Sequence, residues 1–323
     1  MMTLEETRAV LTVALMAAFS DGLKDESERE AVKRVAEALG PDAGFDLPGL
    51  YREVLLAKPD LAKVAAELRS PESRQLAYEM AVGVCDADGA QGPAEKTFLT
   101  KLAEALALPA AAASATSARA DEVAEAAFAP TEAPAVAASA PVSGTVMGKA
   151  NISDAEMDKL ILNASITNAA LELLPETLAS MAIIPLQMRL VFRIGKAHGY
   201  AMDRTHAKDF LATLGVGLTG QYLEQFGRKL LGGLLGGLGG GLGRGLGRQA
   251  ASSGLTFATT YALGRVAQRY YAAGRTIDTA TLKQTFASLL DEARGLAPRY
   301  REQIEQKAGT IDVRNLASLV RQA

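Results

Sequence analysis

The 323-residue chain has one cysteine, two histidines and no tryptophan. A lone Cys85 can form no disulfide within the chain, so the fold does not depend on an oxidising compartment. His198 and His206 stand in no serine or cysteine motif, so they supply no nucleophilic triad. With a single cysteine they also make no closed zinc site unless carboxylates are recruited. No GxxxxGK followed by Ser or Thr occurs, and no strand pattern precedes the glycine-rich tract, which excludes a nucleotide-binding loop of that kind. Aromatics make up 5%, and the basic region offers neither a stacking platform nor a helix-turn-helix signature, so nucleic acid is not an expected partner. The apolar stretch from Ala9 to Phe19 follows Glu5 and Glu6, where a signal peptide would be basic, and reads as a helix of the fold. These absences describe a non-enzymatic chain.

What is present favours helix throughout. Apolar residues make up 49%, and Ala, Leu, Glu, Lys and Arg, which lose least on entering a helix, dominate. The fold class expected is all-α. The net charge of -3 hides an asymmetry: residues 1–106 carry 19 acids and 12 bases, whereas residues 151–323 carry 14 acids and 20 bases. The acidic half suits cations or basic proteins, and the basic half suits anionic surfaces.

Three segments follow. Residues 1–108 form an acidic helical bundle, residues 109–150 an Ala, Pro and Ser-rich linker, and residues 151–323 a basic helical domain, the two domains having separate cores. The first segment is duplicated at an offset of 67 residues: Thr3 aligns with Ser70, Asp21-Gly22 with Asp88-Gly89, Glu28 with Glu95, and Ala36-Glu37-Ala38-Leu39 with Ala103-Glu104-Ala105-Leu106. Thr3 with Glu6, Ser70 before Pro71, and Ser153 with Glu156 are helix-start signals. The helix that begins near Asp25 is expected to end at Gly40-Pro41, and a later one at Gly295.

The segment from about 210 to 274 is unusual. Ten of the eighteen residues from Leu230 to Gly247 are glycine. In a water-exposed helix each costs about 1 kcal/mol against alanine. Small faces packed in lipid or in an oligomer, or a flexible loop, are the alternatives. Its uncharged runs are too short for an ordinary membrane crossing and are punctuated by Arg228, Lys229, Arg244, Arg248 and Arg265. Leu230, Leu231, Leu234 and Leu235 with those cations fit a re-entrant or interfacial hairpin on an anionic membrane surface. From Arg189 to Arg275 there are 12 bases against three acids.

The repeated acidic loop is the one constellation able to carry chemistry. VCDADGAQGPAE puts Asp86, Asp88, Gly89 and Glu95 at the third, fifth, sixth and twelfth positions of a calcium loop, with Val84 where the first carboxylate belongs. The other copy keeps Asp21, Gly22 and Glu28. Two readings stay open. Glu28 and Glu95 act as N-terminal helix caps alone, or Asp21, Glu28, Asp86, Asp88 and Glu95 share a divalent cation, with oxygen ligands favouring calcium or another hard ion. No cofactor is otherwise required.

The matched pair AAFSDGLKDESEREAVKRVAEAL and VCDADGAQGPAEKTFLTKLAEAL resembles the TerB family of tellurite-resistance proteins, although Gln91-Gly92-Pro93 is less acidic than that family's loop. The resemblance implies an all-helical fold with an acidic surface suspected of binding metal. IPLQMRLVFRIGKAHGY and FATTYALGRVAQRYYAAG resemble the GTPase-associated domain of YcjF-like inner-membrane proteins. That implies membrane association and cooperation with a separately encoded GTPase. The expectation is a membrane-associated adaptor or sensor in an envelope or metal stress response, held at the cytoplasmic face of the inner membrane. A homo-oligomer, a GTPase and a Ter-system protein are candidate partners. The alternative is a soluble oligomeric scaffold that cooperates with a separately encoded GTPase.

Overall fold

A computed structural model describes residues 2–22, 26–88, 91–129, 150–174, 177–214, 218–238 and 242–323. The all-α expectation holds: among these residues every regular element is helical. The first half begins with α1 (Leu4–Ala18), opened by the expected capping box in which Thr3 and Glu6 each bond the other's backbone. It continues with α2 (Glu26–Ala43), α3 (Leu47–Ala57), α4 (Leu61–Glu67), α5 (Pro71–Cys85) and α6 (Pro93–Ala105). Asp46, Asp60 and Ser70 cap α3, α4 and α5 through their side chains. The sequence placed the end of α2 at Gly40-Pro41, but the helix carries Pro41 in its last turn and stops at Gly44, whose φ of 72° supplies the left-handed stop.

Helix α1 packs on α5, the corresponding helix of the second copy. At their N-terminal ends Glu6 Oε1 accepts from the hydroxyl of Ser73, 67 residues away, which is the offset of the repeat itself. The same oxygen accepts from the backbone of Arg69 and Ser70, so one carboxylate serves the first turns of both copies.

Residues 109–150 were expected to be a linker, and here the structure differs. Residues Ala110–Ala126 form α7. Ala113, Thr116, Ala120, Val123 and Ala127 recur three or four positions apart and are buried, and Tyr78 of α5 reaches the Ala113 carbonyl. Residues 130–149, the rest of the expected linker, lie outside the described residues.

The second half comprises α8 (Asp154–Glu172), α9 (Thr177–Met181), α10 (Ile183–Ala197), α11 (Arg204–Thr213), α12 (Leu218–Leu238), α13 (Leu242–Ala272), α14 (Thr279–Leu296), α15 (Arg301–Ala308) and α16 (Leu316–Gln322). Ser153, Asp203 and Asp278 cap α8, α11 and α14. Gly295, expected to stop α14, lies inside it, and a short 3-10 turn leads on to α15. Helix α13 is the central strut, packed on α8, α10 and α14. Ala258, Ala262 and Ala267 are buried along it. A Cβ at Gly264 would lie 2.8 Å from Ile161 and 3.1 Å from Leu190, so only glycine fits that crossing.

Separate cores were expected, but one continuous apolar cluster runs from Ala9 to Val320, and a smaller one joins α8, α13 and α15. The reason is α12, whose apolar face closes the first bundle against α1, α2 and α5. A Cβ at Gly227 would come within 2.3 Å of Leu39, and one at Gly83 within 3.0 Å of Phe226. The two halves touch where each lacks a side chain.

Candidate functional site

The acidic loops are placed unequally. Asp21 lies in the turn after α1, just before Gly22 at φ 65°. Asp86 ends α5 and is buried at 6% exposure, facing α12 rather than solvent. Burial first, and the Asp86 carboxylate second, hold the Tyr222 hydroxyl well above the usual tyrosine range, and that hydroxyl donates to the Met181 carbonyl at 2.7 Å. Glu95 is also buried, and its Oε2 accepts the Gly92 N–H at 2.7 Å, which is the capping geometry. Glu28 lies in α2 and Asp88 in the 3-10 turn after α5, but the side chains of both lie outside the described residues. Among the described residues no three His, Cys, Asp or Glu groups converge as a metal would need. Inward-facing Asp86 and cap-bound Glu95 point to different surroundings.

The glycine-rich tract is helical in α12 up to Leu238 and in α13 from Leu242, and the two helices contact each other. Leu230 and Leu231, expected at a membrane contact, are buried at 9% and 2% exposure. Their position on the α12 face that meets the bundle corrects that expectation. Arg228 pairs with Glu224 one turn earlier. Arg265 pairs with Asp158 of α8 and lies over the Tyr261 ring, 5.0 Å from its centroid, while also bonding that tyrosine's hydroxyl. Lys229, Leu234 and Leu235 lie in α12, and Arg244 and Arg248 in α13, with side chains outside the described residues. Among the described residues no helix is long and apolar enough to cross a membrane.

Both histidines are held locally. The ring of His198 meets the Ile194 carbonyl at 2.9 Å, and that of His206 meets Asp203, the cap of its own helix, at 2.7 Å.

Sequence reasoning missed a polar chain through the middle of the second half. Asn168 of α8 and Gln187 of α10 both donate to the Thr260 hydroxyl of α13 at 3.1 Å, and Gln221 of α12 donates to the Gln187 carbonyl at 2.8 Å. Asn168, Gln187 and Thr260 are fully buried. Their signal was available as uncharged polar residues interrupting apolar faces, and the bonds they share tie α8, α10, α12 and α13 together. The chain ends at Gln221, near the start of α12, the helix that also packs on the first bundle.

Residues 3–120 match the model of a family described as a protein of unknown function (DUF533), which is TerB-like. The match ends within α7, so the family's span covers α1 to α6 and part of the helix that replaces the expected linker. No curated protein and no solved structure matches the chain.

Proposed function

We propose that this chain is a non-enzymatic adaptor that contacts an anionic membrane surface through its glycine-rich hairpin and presents the TerB-like bundle rigidly from the hairpin's base. The observation that carries the reading is the double membership of α12: one helix completes the core of the first bundle and also forms half of the hairpin. An event at the hairpin end therefore acts on the bundle without passing through a flexible tether. The membrane-facing groups on this reading are Lys229, Arg244, Arg248, Leu234 and Leu235. Leu230 and Leu231 serve the internal joint, and Arg265 is committed to Asp158. The resemblance of the second half to YcjF-like domains supports a separately encoded GTPase as partner, and the acidic face of the bundle suits a cation or a basic protein surface.

Flotation of the full chain with vesicles tests this. Phosphatidylcholine vesicles containing phosphatidylglycerol should carry the protein upward, and neutral vesicles should carry less. The double substitution Arg244→Glu, Arg248→Glu should reduce flotation, while added salt should reduce it only in part, because apolar insertion remains. Equal binding to neutral and anionic vesicles removes the electrostatic half of the proposal. Failure to float, with a large assembly in gel filtration, replaces it with an oligomeric scaffold.

A further inference from the structure

Helix α16 is seated differently from the helices that precede it. Helices α14 and α15 pack on α13 and α8, within the second half, whereas α16 lies mainly on α7 and then on α10. It buries Leu316, Ala317 and Val320 there. Seven residues make about two turns, too few to hold a helix in water, so α16 takes its shape from the surface beneath it.

That surface recognises a helix by more than its apolar face. Arg119 of α7 donates to the Val313 carbonyl at 3.0 Å, in the turn that leads into α16. Arg189 of α10 donates to the Arg321 carbonyl at 2.8 Å, in the last turn, where helical carbonyls lack partners. Glu122 of α7 pairs with the Arg321 side chain at 3.1 Å. Two donors and one carboxylate therefore fix the position and direction of whatever helix lies there. Arg189 keeps bonds to the Ala127 and Ala129 carbonyls through Nη1, so its buried charge stays satisfied when α16 leaves. The family match ends at residue 120, so Arg119 and most of α7 lie inside the matched span and α16 lies outside it.

We infer that α7 and α10 form a helix-binding groove that α16 occupies in cis, and that its partner is an amphipathic helix of another protein. The pattern required is that of α16: apolar residues at the spacing of Leu316, Ala317 and Val320, a base where Arg321 stands, and a last turn with open carbonyls. A tethered α16 competes at an effective concentration of roughly millimolar order, so docking follows its release. The groove does not depend on hairpin contact with a membrane.

Hydrogen exchange of the full chain tests the release. The amides of Val320, Arg321 and Gln322 should exchange at least about tenfold faster than those of Leu190 to Ile194 in α10, through a local opening. The groove is then probed with a synthetic peptide of residues 310–323. The full chain carrying Val320→Asp, which unseats α16, should bind this peptide, and the wild-type chain should bind it at least about tenfold more weakly. Adding Glu122→Arg to the Val320→Asp chain should weaken binding, and Arg321→Glu in the peptide should restore it. Exchange in α16 as slow as in α10, a Val320→Asp chain that does not fold, or one that folds without binding the peptide overturns the inference. Dimerisation of the wild-type chain that the peptide dissolves makes a second copy the occupant and overturns the separate partner.

Discussion

In each half of the molecule a buried charged side chain joins helix ends that are far apart in sequence, and the two, Glu6 and Arg189, carry opposite signs. Glu6, at 5% exposure, accepts from the backbone of Thr3, Arg69 and Ser70 and from the Ser73 hydroxyl, all at the starts of α1 and α5. Arg189, at 1% exposure, donates to the carbonyls of Ala127 and Ala129 at the end of α7 and to that of Arg321 in the last turn of α16. A helix start leaves N–H groups unsatisfied and carries partial positive charge; a helix end leaves carbonyls and carries partial negative charge. The carboxylate sits at the starts and the guanidinium at the ends. Each is bonded by several groups at helix ends, and each closes a junction between segments far apart in sequence.

Arg189→Leu should give the largest effect. Three carbonyls lose their donor at once, and a loss of about 3–5 kcal/mol in urea unfolding is expected, as for breaking a buried ionic group from one side. Undocking of α16 should accompany it, seen as faster proteolysis after Arg321. An unchanged midpoint would mean that those carbonyls find other donors.

Glu6→Gln should cost less, about 2 kcal/mol, since the amide oxygen can keep one set of donors while its NH2 group faces the Thr3 N–H. Its pH signature is more specific. The Thr3 N–H above all, followed by Ser70, Ser73 and Arg69, holds the Glu6 carboxyl below the usual glutamate range, against burial, which pushes it up. A carboxylate depressed in the native state stabilises fully above its unfolded value, about 4.3, and that stability is lost as pH falls through the native value. Wild type should therefore lose stability on acidification in this window. The glutamine variant should show a shallower acid limb.

Two glycines test whether close packing along α13 is what selects glycine there. Gly264→Ala forces a methyl against Ile161 and Leu190 where α13 crosses α8 and α10. A net loss of about 1 kcal/mol is expected, overpacking exceeding the gain in helix propensity. Gly295→Ala, in α14 with nothing within 4 Å of the added methyl, should stabilise by about 0.5 kcal/mol or slightly more. If both shift in the same direction, close packing along α13 is not what selects glycine there.

The contrast between Glu6 and Arg189 also separates what could be read from the sequence. Glu6 announced itself as the third helical residue after Thr3, whereas its bond to Ser73 was decided by the packing of α1 on α5. The candidate site was less legible. Glu95 took the capping role that its spacing suggested, but nothing local indicated that Asp86 would turn inward beneath Tyr222.

By itself the sequence determined the all-helical class, the duplication and the caps at Thr3, Ser70 and Ser153, because those bonds join residues three apart and their geometry is fixed by neighbours. Tertiary structure alone decided that Ala110–Ala126 is a packed helix, that Leu230 and Leu231 face inward, and that Arg189 is buried. The bond from Arg189 to Ala127 spans 62 residues, and that from Arg119 of α7 to Val313 spans 194. Partners at such separations are chosen by the shape of the assembled core, and an Ala-rich or Gly-rich helix carries too weak a stripe of its own to name them.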